Sequence, residues 1–238
     1  MRSNDLMHCK HKGLPPNLYE LIQELGRVNR QLRDLPGTNT YEVHASVDSH
    51  ASLFVRIMTC PDAAERRNLL RSMQEVLALL FDPSGDCYHT AIELYFELEP
   101  QQSKIRCQHY CSNCRGEVKQ QTGLFYKDRL VSILLSKAFL DGNSPHYKAL
   151  IKTIKEHKDF IFHPKHVPTT KMGPIHALVL QLLSKGILGL GVNDIKKIGK
   201  KSLSTNNVTM TLPFAINEEG MKLPAYFLTQ KWVGMNMV

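Results

Sequence analysis

Long apolar runs are missing from this 238-residue chain. No stretch approaches the roughly 20 apolar residues that a membrane-spanning helix needs. The opening MRSNDLMHCK lacks the apolar heart of a secretory leader and is not arginine-rich like a mitochondrial one, so the nucleus or the cytoplasm is the expected compartment. There is no internal repeat and no low-complexity tract. Two nucleotide motifs are absent as well, the G-x-x-x-x-G-K-[ST] phosphate loop and the Asp-Glu-x-His box. Without a backbone nest for phosphates and a carboxylate for magnesium, this polypeptide alone is expected neither to bind ATP tightly nor to hydrolyse it. Cysteine is sparse, six residues in all. Nothing points to an oxidising compartment, so a disulfide framework is not expected.

What is present is ordinary for a water-soluble globular protein, with 42% hydrophobic and 22% charged residues. The charge is lopsided. Thirty Lys and Arg face 22 Asp and Glu, for a formal net charge of +8. Such a balance suits a polyanionic partner such as DNA, although many basic proteins bind none, and no membrane partner is expected.

Along the chain, His11-Lys-Gly-Leu-Pro-Pro-Asn17 is turn chemistry. Leu18, Leu21, Ile22, Leu25 and Val28 then recur at helical spacing to about Arg30. A turn at Pro36-Gly37 and a short alternating strand over Thr40–Val47 follow, while 52–58 reads equally as strand or helix. Asp62 is placed to cap a long helix with a stripe of Leu69, Leu70, Met73, Val76, Leu77 and Leu80. After the break at 82–85, a second helix is predicted from Cys87 to about Leu98. Residues 101–123 are polar and aperiodic, and a segment of that length needs an external staple. Three further helices are predicted over 128–140, 145–160 and 175–185, the last ended by Gly186. Ile187–Leu190 and Val208–Phe214 read as strands flanking Lys196-Lys-Ile-Gly-Lys-Lys-Ser202. Three helices followed by a hairpin with a basic tip is the layout of a winged helix.

Four cysteines supply the staple. Cys87, Cys107, Cys111 and Cys114 are spaced C-x19-C-x3-C-x2-C. Four thiolates complete a tetrahedral shell for zinc, closed to water and therefore structural. The compact half, Cys107-Gln-His-Tyr-Cys111-Ser-Asn-Cys114, resembles a zinc knuckle, with His109 as the substitute ligand and unliganded buried thiols as the alternative. Cys9 and Cys60 are read as ordinary buried or reduced thiols.

Residues 11–30, HKGLPPNLYELIQELGRVNR, resemble motif VI of superfamily-2 helicases, specifically the RecQ family. The matching positions are His11, Leu14, Pro15, Gln23, Glu24, Gly26, Arg27 and Arg30, with Leu21 where the family has Tyr. In that family motif VI precedes a helical hairpin with four zinc-binding cysteines and then a winged helix, the order found here. Cys87-Tyr-His-Thr-Ala-Ile-Glu-Leu-Tyr-Phe-Glu97 is similar to the family's Cys-led helix, without its Gly.

The resemblance implies an α+β, mainly helical chain in three parts. Residues 1–50 would be the end of a RecA-like lobe, 51–122 the zinc-binding helical hairpin, and 123–238 a winged-helix DNA-binding domain. It implies the C-terminal part of an ATP-dependent 3′–5′ DNA helicase, with ATP and Mg2+ entering only alongside an ATPase core. Arg30 would be the arginine finger, Arg27 a second phosphate contact and Gln23 a link between the nucleotide and DNA sites. Lys196, Lys197, Lys200 and Lys201 would contact DNA phosphates, with Lys165, His166, Lys171 and His176 as a second surface. Ile198 and Leu203 are the apolar candidates for a duplex-splitting wedge. The competing expectations are a motorless zinc and winged-helix DNA-binding or adaptor protein, and a winged helix that binds protein partners.

Overall fold

The tandem prolines before Asn17 end one segment and launch the next, and the first crossover is built around that break. In a computed structural model, residues 8–28, 40–81, 87–96, 111–115, 125–134, 144–168, 172–211, 214–216 and 222–224 are described. Strand β1 (His8–Lys12) runs parallel to β2 (Thr40–His44), with His8 opposite Thr40 and Lys12 opposite His44. Between them lies α1 (Leu18–Val28), whose first free amides are met by Asn17, its Oδ1 accepting from Glu20 N–H at 2.8 Å. Leu14, Leu18 and Leu21 are buried at the helix base. Gly13 sits at φ +108, a conformation that side chains disfavour, and its N–H donates to the His44 carbonyl. A parallel pair joined by a helix is the βαβ unit.

Helix α2 (Val47–Met58) settles the ambiguity of 52–58. A reciprocal box at its start, Ser46 with Ser49, satisfies two orphan donors, and Ala51, Phe54 and Ile57 make one buried face. Asp62 caps α3 (Ala63–Phe81) as expected, its carboxylate accepting from Glu65 N–H at 2.6 Å. Met73, Val76 and Leu77 are the buried heart of the α3 stripe. Helix α4 (Tyr88–Tyr95) is shorter than predicted and buries none of its residues; 97–100 lie outside the described residues. Helix α5 is one turn, Ser112–Arg115.

Described helix in the next segment covers α6 (Lys127–Ile133), with 135–143 outside the described residues. The predicted 145–160 helix is two, α7 (Tyr147–Glu156) and α8 (Lys158–Ile161), parted at His157. Helix α9 (Gly173–Ser184) is apolar nearly all round and buries seven residues, Ile175, Leu178, Val179, Leu180, Gln181, Leu182 and Leu183. Gly186 (φ +65) ends it in a Schellman cap, donating to the Leu183 carbonyl while Ile187 N–H reaches Leu182. That cap consumes Ile187 and Leu188, so β3 begins later than predicted, at Gly189–Val192.

Strand β3 pairs with β4 (Val208–Thr211). A Cβ at Gly189 would meet Thr211 Oγ1 at 2.7 Å, and one at Gly191 would meet Thr209 Oγ1 at 3.2 Å. The two glycines thus make room for two threonines, which explains why β4 is buried over Val208, Thr209 and Met210 in succession instead of alternating. On the other side of β4, Met210 N–H donates to the Pro145 carbonyl and His146 bridges Thr209 in antiparallel fashion. Strands β5 (Phe214–Ile216) and β6 (Lys222–Pro224) form a third, antiparallel pair.

The whole is mainly helical with three two-stranded sheets among the described residues, an α+β arrangement. It divides into two compact units, residues 1–80 with 192–208, and residues 81–191 with 209–238. No helix among the described residues is long and apolar enough to cross a membrane.

Candidate functional site

Cys87 ends the break before α4 and stands at that helix's N-cap position, with extended backbone and no capping bond from its thiol. Cys111 precedes α5, and Cys114 lies within it. Their three sulfurs lie within 4.8 Å of one another, although 24 residues separate Cys87 from Cys111. The short α5 turn sets the local pair, since Cys114 N–H donates to Cys111 Sγ at 3.4 Å.

Tyr88, the residue after Cys87, hydrogen-bonds the side chains of Ser112 and Asn113, and burial raises its phenol above the ordinary value. Those bonds tie the start of α4 to α5 and hold the thiols together. Bonds of about 2.3 Å from a tetrahedral zinc put sulfurs about 3.8 Å apart. Within 4.8 Å of one another, these three soft donors can hold a metal ion. Cys107 and the substitute ligand His109 lie outside the described residues.

On α1, Gln23 and Arg27 are exposed, while Arg30 lies outside the described residues. Motif residues His11 and Glu24 meet directly, His11 Nδ1 lying 2.8 Å from Glu24 Oε2. Tyr41 donates its hydroxyl to the same oxygen at 2.6 Å. One carboxylate therefore ties α1 to both parallel strands. Burial, reinforced by the Glu24 carboxylate, drives the Tyr41 phenol far above its ordinary value. Glu24 was legible as a motif position, but its role as a three-way tie was not, because Tyr41 lies 17 residues on.

The lysine segment is a folded excursion between β3 and β4. A 3-10 turn at Ile195–Lys197 and another at Thr205–Asn207, boxed by Ser204, give it shape. Gly199 (φ +76) donates its N–H to the Met58 carbonyl, and a Cβ there would touch Pro61 and the Arg66 guanidinium at 3.6 Å. Lys196, Lys200 and Lys201 are exposed; Lys197 is half-exposed, 3.5 Å from Asp194. The expected wedge residues are corrected. Leu203 is buried and Ile198 half-buried, whereas the exposed large apolar side chain of the segment is Ile195, at 76%. Lys165 is exposed in a 3-10 turn, Pro164–His166, and Lys171 lies outside the described residues.

Cys9 and Cys60 are half-buried rather than buried. The Cys60 thiol donates to Glu65 Oε2 at 3.2 Å, and that bond raises its pKa and keeps it protonated.

No family model matches the chain, no curated protein is significantly similar to it, and no solved structure matches its fold.

Proposed function

We propose that this chain is the C-terminal part of a RecQ-like, ATP-dependent 3′–5′ DNA helicase. It would bind DNA through a winged helix steadied by a structural zinc on Cys87, Cys107, Cys111 and Cys114. The observation that carries the reading is the convergence of Cys87 with Cys111 and Cys114 downstream of a βαβ unit bearing the motif VI pattern. Support also comes from element order. Helix α6, the bridge at His146, α7, α9 and the β3–β4 pair follow one another as in a winged helix, with His146 bridged back to Thr209 on β4.

In this reading the chain's residues divide the labour. The thiols hold the otherwise aperiodic 101–123 segment, and zinc supplies only a rigid cross-link when bound. Gln23 and Arg27 are exposed on α1, and the guanidiniums of Arg27 and Arg30 would stabilise the charge that gathers on a departing γ-phosphate supplied by a nucleotide-loaded ATPase core. Lys196, Lys197, Lys200 and Lys201 neutralise backbone phosphates without reading sequence.

The test is the salt dependence of binding between the full chain and a duplex with a 3′ tail. Each lost phosphate contact lowers the log-log slope by about 0.9. Replacing the four lysines by alanine should weaken binding and flatten that slope by up to about 3.6. A parent protein without affinity for the duplex would sink the DNA reading, and unchanged slope would take the lysines out of the interface. The same preparation should release no phosphate from ATP, with or without DNA.

A further inference from the structure

In the unit of residues 81–191 with 209–238, four flat side chains gather at the start of α6 and around α8. The Arg129 guanidinium carbon lies 4.1 Å from the centre of the Tyr126 ring and 5.1 Å from that of Phe160. Nη1 of Arg129 donates to the Phe160 carbonyl at 3.2 Å, which fixes the guanidinium between the rings. On Tyr126 rests the His163 ring, centroid to centroid 5.8 Å and tilted by 35°. Phe160 is 46% exposed, one of the few large apolar side chains so exposed among the described residues. Arg129 is exposed with it.

We propose that this row of His163, Tyr126, Arg129 and Phe160 is a stacking platform for the unpaired bases of a single DNA strand. Three features favour that ligand. Every base offers a π-face that stacks on an aromatic ring or a guanidinium without sequence preference, and Phe160 presents its ring to solvent. The guanidinium is already oriented, so little rotamer freedom is lost on binding. Along the chain from 155 to 165, Lys155, Lys158 and Lys165 outnumber Glu156 and Asp159, a positive balance in the sequence that suits the phosphates that follow each base. An ordinary packing clasp would bury the outer ring. Here the apolar ring is outermost.

The site is separate in sequence from the lysines that carry the duplex reading, and it stands or falls apart from them. The experiment compares binding of the full chain to a thymidine oligomer and to an abasic oligomer of equal length, at a salt concentration that suppresses phosphate attraction. The thymidine strand should bind more tightly than the abasic one. Phe160→Ala should cut that affinity about 5- to 100-fold and leave abasic binding unchanged. Phe160→Trp should restore thymidine binding, and its added emission, read above the parent's single tryptophan, should be quenched by thymidine and not by the abasic strand. That quenching decides the matter even should the alanine variant fail to fold. Equal affinity for the two oligomers overturns the proposal. So does a Phe160→Ala protein that melts at lower temperature yet binds thymidine like the parent. Replacing the four lysines at 196–201 should leave the thymidine-over-abasic preference intact, and loss of that preference would overturn the independence of the platform.

Discussion

Helices α9 and α4 are held by opposite means. Seven residues of α9 are buried, from Ile175 to Leu183, and its end is locked by a Schellman cap. Helix α4 buries none, and leaves Leu94, Tyr95 and Phe96 exposed at its C-terminal end. What steadies α4 is the group at its other end, where Cys87 meets Cys111 and Cys114 and Tyr88 bonds Ser112 and Asn113. A helix of eight residues is too short to stand on propensity, so one of the two depends on a core and the other on the side chains gathered at its start, which the proposed zinc would cross-link. The difference teaches where the chain is vulnerable. Apolar deletions threaten α9, and chemistry at sulfur threatens α4.

On the proposed zinc reading, metal removal should give the largest effect and the sharpest separation of the two. A structural zinc is worth about 10 kcal/mol in small zinc-binding peptides. Chelation, or Cys114→Ala, should therefore strip amide protection from 87–96 and 111–115 while α9 keeps its slow exchange. Equal protection before and after would break the contrast. Next comes Leu182→Ala, at a fully buried site in α9. Its loss should cost about 2–5 kcal/mol in denaturant unfolding, with zinc content unchanged.

A pH effect of similar size is expected from His50 in α2. Burial pulls its pKa down to about 4. The unfolded chain takes up the proton near the ordinary value, so the stability due to neutral His50 is complete above about pH 6.5 and is lost as pH falls towards about 4. The span is about 3 kcal/mol. His50→Leu should flatten that window, and a variant that keeps the parent's slope would assign the acid sensitivity elsewhere. Glu24→Gln is smaller, about 1–2 kcal/mol, because one charge-assisted tie to His11 and Tyr41 weakens without an apolar cavity. Last, alanine at Lys196, Lys200 and Lys201 should move stability by less than about 0.5 kcal/mol, as befits exposed side chains. A larger loss would mean that the excursion depends on its lysines rather than on Gly199.

Much of this architecture is written locally. Asp62, Asn17 and Gly186 act within a few residues of where they stand, which is why their helix ends are legible in the sequence. The cysteine cluster is legible too, since ligand spacing is itself a local pattern. What escapes is everything that depends on a distant partner. Gly189 falls inside the expected strand, but the room that it and Gly191 leave is legible only once Thr209 and Thr211 are laid across them. Leu203 looks like a wedge until it is seen to be buried, and nothing at the end of the predicted 145–160 helix shows that Phe160 is exposed. Periodicity assigns a side chain to a face, but only the packing of other elements decides whether that face is covered.

The excursion between β3 and β4 has a consequence for how the molecule is made. Residues 192–208 belong to the same compact unit as residues 1–80, and Gly199 is hydrogen-bonded to Met58. A ribosome releases the chain in order, so the first unit must wait, short of one piece, until the segment around Gly199 has emerged behind more than a hundred intervening residues. During that interval the turn from Met58 to Arg66 has no occupant. A fragment cut anywhere between 81 and 191 inherits the same gap. The fold's first-made part is thus the last to be finished, and attempts to express it by itself should supply residues 192–208 as a separate peptide or by circular permutation.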